Sequence, residues 1–191
     1  MNRRNNSHNL TKREKYLMKN IVCILLTAVL IVTLCSCSLR NVSSVFSEKT
    51  DEEFANDRIK QVFNSIKLQD KDSLVNLFST KAIKEAENID AENLFSFIRG
   101  KVSSLKNPYG SPVVGETVDY GKVTKQLESW YVIETDETSY WIILFDYPTD
   151  QNDSENIGLY SMIVVETQYV EKLEGNWDNL MLPGIHLIDG Q

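Results

Sequence analysis

The run Tyr140-Trp141-Ile142-Ile143-Leu144-Phe145 constrains this chain more than any other stretch. Its β-branched and aromatic content reads as a strand. Successive side chains of a strand point to opposite faces, so both faces of this one are apolar. Such a strand is covered on both sides or lies under a partner. Ile163-Val164-Val165 makes the same demand of a neighbour. The fold must therefore cover two faces of a sheet.

The preceding half of the chain supplies helices for one face. Thr50-Asp51-Glu52-Glu53 is a capping box, after which Phe54, Ile59, Val62, Phe63 and Ile66 recur at helical spacing. Asp70 caps a second helix that buries Leu74, Val75, Leu77 and Phe78, and Ser79-Thr80 restarts a turn through Ala82, Ile83 and Ala86. Asp90 caps a third helix with Leu94, Phe95 and Ile98 inward, and Gly100 sits where a left-handed residue ends it. Residues 107–112 hold two prolines and a glycine and read as loop. Strands are predicted at 117–126, 129–135, 139–147 and 158–168, with Thr135-Asp136-Glu137-Thr138 turning between the middle pair. Helices followed by antiparallel strands give an α+β class. The second face needs the C-terminal segment or another subunit. Trp177, Leu180, Met181, Leu182, Ile185, Leu187 and Ile188 are apolar enough, and Pro183-Gly184 would turn that segment back across the strands, so a monomer is expected over an obligate dimer.

Upstream, residues 21–34 form a fourteen-residue apolar segment preceded by Arg3, Arg4, Lys12, Arg13, Lys15 and Lys19. That is short of the ~20 residues that span a bilayer and fits a secretory signal. It ends in Leu34-Cys35-Ser36-Cys37, which resembles the lipobox of bacterial lipoproteins. The resemblance implies a diacylglyceryl group on the Cys37 thiol, cleavage before it, and a place on the outer face of the cytoplasmic membrane. Met18-Lys19-Asn20 would open an ordinary signal peptide, so translation is expected to begin at Met18. The expected organisation is a signal peptide over 1–36, the lipidated cysteine and a polar tether over 37–49, and a single α+β domain over 50–191.

The precursor has 20 basic and 27 acidic residues; residues 1–36 hold six of the former and only Glu14, which leaves 14 against 26, a net −12. So acidic a domain is repelled by nucleic acid and anionic headgroups, and no nucleic-acid partner is expected. Cys23 and Cys35 leave with the signal and Cys37 is lipidated, so no disulfide or thiolate chemistry remains. His186 is the one histidine left. Asp150-Gln151-Asn152-Asp153-Ser154-Glu155 lacks the glycine and distant glutamate of a calcium loop. No metal or cofactor is expected.

The ordered motifs Tyr109-Gly110-Ser111-Pro112, Tyr120-Gly121-Lys122-Val123, Tyr131-Val132-Ile133-Glu134-Thr135-Asp136, Phe145-Asp146-Tyr147 and Gly158-Leu159-Tyr160-Ser161 are similar to a family of Gram-positive lipoproteins known only as a domain of unknown function. The resemblance implies the cone-shaped fold of nuclear transport factor 2 and the cystatin-like superfamily, in which helices pack on a curved antiparallel sheet around a pocket. It brings no catalytic residues.

Aromatics crowd the strand half, as apolar-ligand pockets, protein interfaces and ordinary β cores all do. If they line a pocket, Trp141 and Phe145 share a face and Tyr131 or Tyr160 completes it. Asp119-Tyr120 and Asp146-Tyr147 supply the residue types of an isomerase or dehydratase site. Adjacent strand residues point apart, however, so neither pair acts as a unit, and Asp146 reads as a strand leaving the core. The expected function is a non-catalytic, lipid-anchored module for a small apolar ligand or an envelope protein, with the small-molecule enzyme as the alternative.

Overall fold

The computed structural model describes residues 49–86, 89–173 and 181–189. Cys37, Met18, the expected signal, the expected tether up to residue 48, Trp177 and Leu180 lie outside them. Lys49–Gln191 makes up one unit by its internal contacts.

Helix α1 (Asp51–Leu68) starts at the capping box: the Glu53 amide donates to Thr50 Oγ1 at 3.2 Å and the Thr50 amide to Glu53 Oε2 at 2.9 Å. Acidic residues fill its first turn and Lys67 its last, matching the helix dipole. Its stripe of Ala55, Ile59, Val62 and Ile66 is buried. The short helices α2 (Lys71–Val75), α3 (Thr80–Glu85) and α4 (Ala91–Phe97) are capped by Asp70, Ser79 and Asp90.

Among the described residues six strands follow: β1 (Val102–Lys106), β2 (Val113–Asp119), β3 (Lys122–Thr135), β4 (Ser139–Asp150), β5 (Gly158–Glu166) and β6 (Gly184–Ile188). They form one sheet in the order β1-β3-β4-β5-β6, and β2 also pairs with β3. The expected antiparallel sheet is corrected to a mixed one, because β6 lies parallel to β5. The strand expected at 117–126 is a hairpin: the chain turns at Tyr120-Gly121, with φ of 47° and 80°, and residues 122–135 run as one strand. With four helices on this sheet among the described residues, the class is α+β.

Both faces of β4 are buried, as its sequence demands. Tyr140, Ile142 and Leu144 join Tyr131, Ile133, Met162 and Val164 under the helices. Ile143 and Phe145 join Ile163, Val165 and Leu173 on the other side, with Trp130, Trp141, Tyr169 and Val170 against them. Among the described residues the expected source of that second cover is corrected in part. The 3₁₀ segment Thr167–Leu173 provides Leu173, Tyr169 and Val170. The 184–188 segment instead extends the sheet, with Ile185 and Leu187 on the helix side and Ile188 on the other, while Met181 and Leu182 stay exposed.

The helix layer is tied to the sheet by backbone. The Ser79 amide donates to Leu159 O at 2.8 Å and the Leu159 amide to Leu77 O at 3.0 Å. Gly158 permits the approach: its φ is +128°, and a Cβ there would stand 3.0 Å from the Ser79 nitrogen.

Candidate functional site: an aromatic cleft at an interrupted sheet edge

β1 and β2 share one edge of β3. Lys106 pairs with Val132 and Val113 with Glu128, so the loop 107–112 leaves the sheet between them and crosses beside residues 129–131. A cavity of about 260 Å³ opens there, lined by Tyr109, Pro112, Val113, Glu128, Trp130 and Tyr131 among others. Asn107 shapes the loop, since its side chain accepts from the Gly110 amide at 2.9 Å and donates to the Gly110 carbonyl at 2.6 Å. Gly110 has a φ of +76°, which suits a residue without a Cβ. Two bonds fasten the loop to α1: Asn107 Nδ2 to Asn56 Oδ1 at 3.2 Å and Ser111 Oγ to Glu52 Oε2 at 3.3 Å. The cleft is thus held open before any ligand arrives.

Two of its rings, Tyr109 and Trp130, cluster with Trp141, which is not part of the cleft lining. Tyr109, 66% exposed, meets Trp130 edge to face, with centroids 6.0 Å apart and planes at 87°. Tyr109 also lies 5.8 Å from Trp141, and the two tryptophans meet at 6.0 Å. Trp130 is oriented by its Nε1, which donates to Glu128 Oε1 at 2.7 Å. Trp141 Nε1 is buried with no hydrogen-bond partner among the described residues. Burial pushes the Tyr131 phenol above its ordinary range, the Ser129 hydroxyl acting the other way.

The residues expected to line one pocket do not meet. Trp141 and Phe145 do share a face, the one covered by Thr167–Leu173, whereas Tyr131 and Tyr160 lie on the helix side. Tyr131 alone of the four borders the cleft. Tyr160 donates to Glu85 Oε2 at 2.7 Å and packs edge to face on Tyr147 at 5.9 Å. Its phenol is pushed up to about 12, by burial first and then by Glu85.

The carboxylates part company as well. Asp119 is exposed at the hairpin. Asp146 does not mark a strand leaving the core, which corrects the expectation: it is 3% exposed, on the helix side of β4. Arg58 of α1 reaches it through Nε to Oδ2, and through Nη2 to Oδ1 at 3.4 Å. Burial pushes the Asp146 carboxyl up, against the pull of that guanidinium. In the acidic loop Asp150 accepts from Thr124 Oγ1 and the amides of Asn152 and Asp153 and from Asn156 Nδ2, at 2.9–3.0 Å. Lys81 pairs with Asp153 and Lys84 with Glu155, so these oxygens are engaged within the protein. His186 Nε2 donates to the Leu182 carbonyl at 2.7 Å.

Sequence reasoning placed Tyr109 in a loop and Trp130 among the strand aromatics, and named neither as a site residue, nor Glu128. The available signal was Tyr109 itself, a large ring between loop-forming prolines, and the alternation that puts Glu128 and Trp130 on one side of a strand. Among curated proteins none matches this chain. A family profile does match, over residues 61–167, from within α1 through the end of β5 and including the whole cleft. That span is more than half of the sequence, and the chain belongs to the family described as a domain of unknown function (DUF5104).

Proposed function

We propose that this protein is a lipid-anchored binding module on the outer face of the cytoplasmic membrane, with a cone-shaped domain of the nuclear-transport-factor-2 kind, and that it takes a small ligand in the cleft of Tyr109 and Trp130. The cleft carries the reading. An aromatic ring left two-thirds exposed over an apolar hollow, on a loop braced from two sides, is the usual form of a preorganised binding site. The cone is supported by the packing of α1–α4 on one face of the sheet, and by register shifts at Lys125/Leu127 and Phe145/Asp146, since such irregularities bend strands. The anchor is supported by Leu34-Cys35-Ser36-Cys37 after the apolar segment. A non-catalytic role is supported by the carboxylates: Asp119 faces solvent and Asp146 is taken by Arg58.

Two measurements test this. Cys37→Ala should move the protein out of the membrane fraction; a variant that stayed processed and membrane-bound would refute the anchor. Native mass spectrometry of the detergent-extracted full chain should show a co-purifying small molecule that Tyr109→Ala loses. Identical spectra from both proteins would refute the cleft.

A further inference from the structure

Resting on that reading of the cleft, we infer that its ligand is a small alkylammonium cation. Among the lining residues Glu128 alone bears a formal charge, and that charge is negative. It is half-buried, with one oxygen committed to the Trp130 indole at 2.7 Å. A second carboxylate, Glu52, reaches the loop through Ser111. Lys106, the basic residue next to the loop in sequence, is turned away onto Glu134. A ligand entering here therefore meets negative charge.

The rings select the same class. Tyr109 and Trp130 stand at 87°, so they form an inner corner in which a cation meets the negative face of a π system. An anion would be repelled by Glu128. A neutral apolar ligand would strip water from that carboxylate and return no counter-charge. An alkylammonium group does the opposite, since its methyl groups fill apolar space while its charge answers Glu128. A cavity of about 260 Å³ takes a group of that kind without movement of the loop.

The experiment uses the full chain in a neutral maltoside detergent at fixed ionic strength. Choline and its uncharged isostere 3,3-dimethyl-1-butanol are titrated by calorimetry and tryptophan fluorescence. Choline should bind at least about tenfold more tightly than the isostere. Glu128→Gln keeps an oxygen for Trp130 but removes the charge; it should weaken choline about tenfold and should not weaken the isostere. Tyr109→Ala should weaken both. Competition by phosphatidylcholine but not phosphatidylglycerol, each added in mixed maltoside micelles, would assign the cation to a lipid headgroup, and no competition would assign it to a free solute. Equal affinities for choline and isostere, still lowered by Tyr109→Ala, would overturn the cation and leave the cleft standing. An unchanged choline affinity in Glu128→Gln would do the same. No binding of either probe up to about 10 mM would overturn the cation alone, since the mass spectra judge the cleft. Affinities indifferent to Tyr109→Ala would overturn both.

Discussion

Replacing Arg58 with methionine should destabilise the domain by about 3 kcal/mol at neutral pH. The side chain keeps most of its length, so little packing volume is lost. What disappears is the partner of Asp146, whose side chain is 4% exposed against 15% for that of Arg58. Removing one member of a buried ion pair typically costs ~3–5 kcal/mol. The low end applies here, because water reaches the Arg58 side and because the abandoned carboxyl can take up a proton. Loss of the Arg58 contact over the Phe54 ring, 5.4 Å from its centroid, adds ~0.5 kcal/mol. The pH dependence has a definite sign. Burial already lifts the folded Asp146 carboxyl above its ordinary 3.8. An acid that holds its proton more tightly when folded weakens folding as pH rises through the window above 3.8. Methionine removes the opposing pull and extends that window upward, so the penalty should be largest near neutrality and shrink toward about pH 4. Adding Asp146→Asn to the methionine variant should recover about 2 kcal/mol. The assay is urea unfolding of Lys49–Gln191 followed by tryptophan fluorescence, with m-values compared to exclude a change of the unfolded state. A penalty below about 1 kcal/mol, or one equal at both pH values, would show that Asp146 is solvated and that the pair does not join helix to sheet.

Gly158→Ala should cost about 1–3 kcal/mol and lower the melting temperature by several degrees, because alanine there combines a φ of +128° with a Cβ 3.0 Å from the Ser79 nitrogen; a neutral substitution in a melting scan would show that β5 can retreat from that backbone. Tyr120→Asn should stabilise the fold by ~0.5 kcal/mol, since the ring is 100% exposed and asparagine tolerates the 47° φ better; denaturant titration showing a loss would mean that the ring packs on something. The Tyr160 phenol holds its proton to about 12 when folded against 10.0 ordinarily, so stability falls as pH rises through that interval. Tyr160→Phe should therefore lose less stability than the parent between pH 10 and 11, and should delete the last phase of the ultraviolet phenolate titration; an unchanged titration would sink the assignment.

Local chemistry made most of the fold legible. The capping residues Thr50, Asp70, Ser79 and Asp90 each start a helix, and the two-faced apolar run of β4 sits between two cores. What escaped depends on longer range or unusual turns. Tyr120 is no turn signal, since a type I′ hairpin asks for asparagine or glycine where φ is positive, so the hairpin looked like one strand. β6 pairs parallel to β5, and a parallel partner leaves no hairpin signature in the intervening chain. Asp146 at the end of an apolar run looked like an exit from the core because Arg58 lies 88 positions earlier. The candidate site divides the same way. Glu128 and Trp130 are two apart on one strand and could be paired by alternation, but Tyr109 reaches them only because β1 and β2 dock on the same edge of β3.

That shared edge separates two evolutionary pressures. β1 is registered on β3 at 132–135 and β2 at 122–128, each by its own pairing, so the loop joining them at 107–112 sets the register of neither. Lengthening such a loop carries only a slowly growing entropic penalty. Insertions, deletions and substitutions can therefore accumulate at the mouth of the cleft without passing through the core. Loops of other length or sequence grafted in place of residues 107–112 should therefore change what the cleft admits while the sheet keeps both registers.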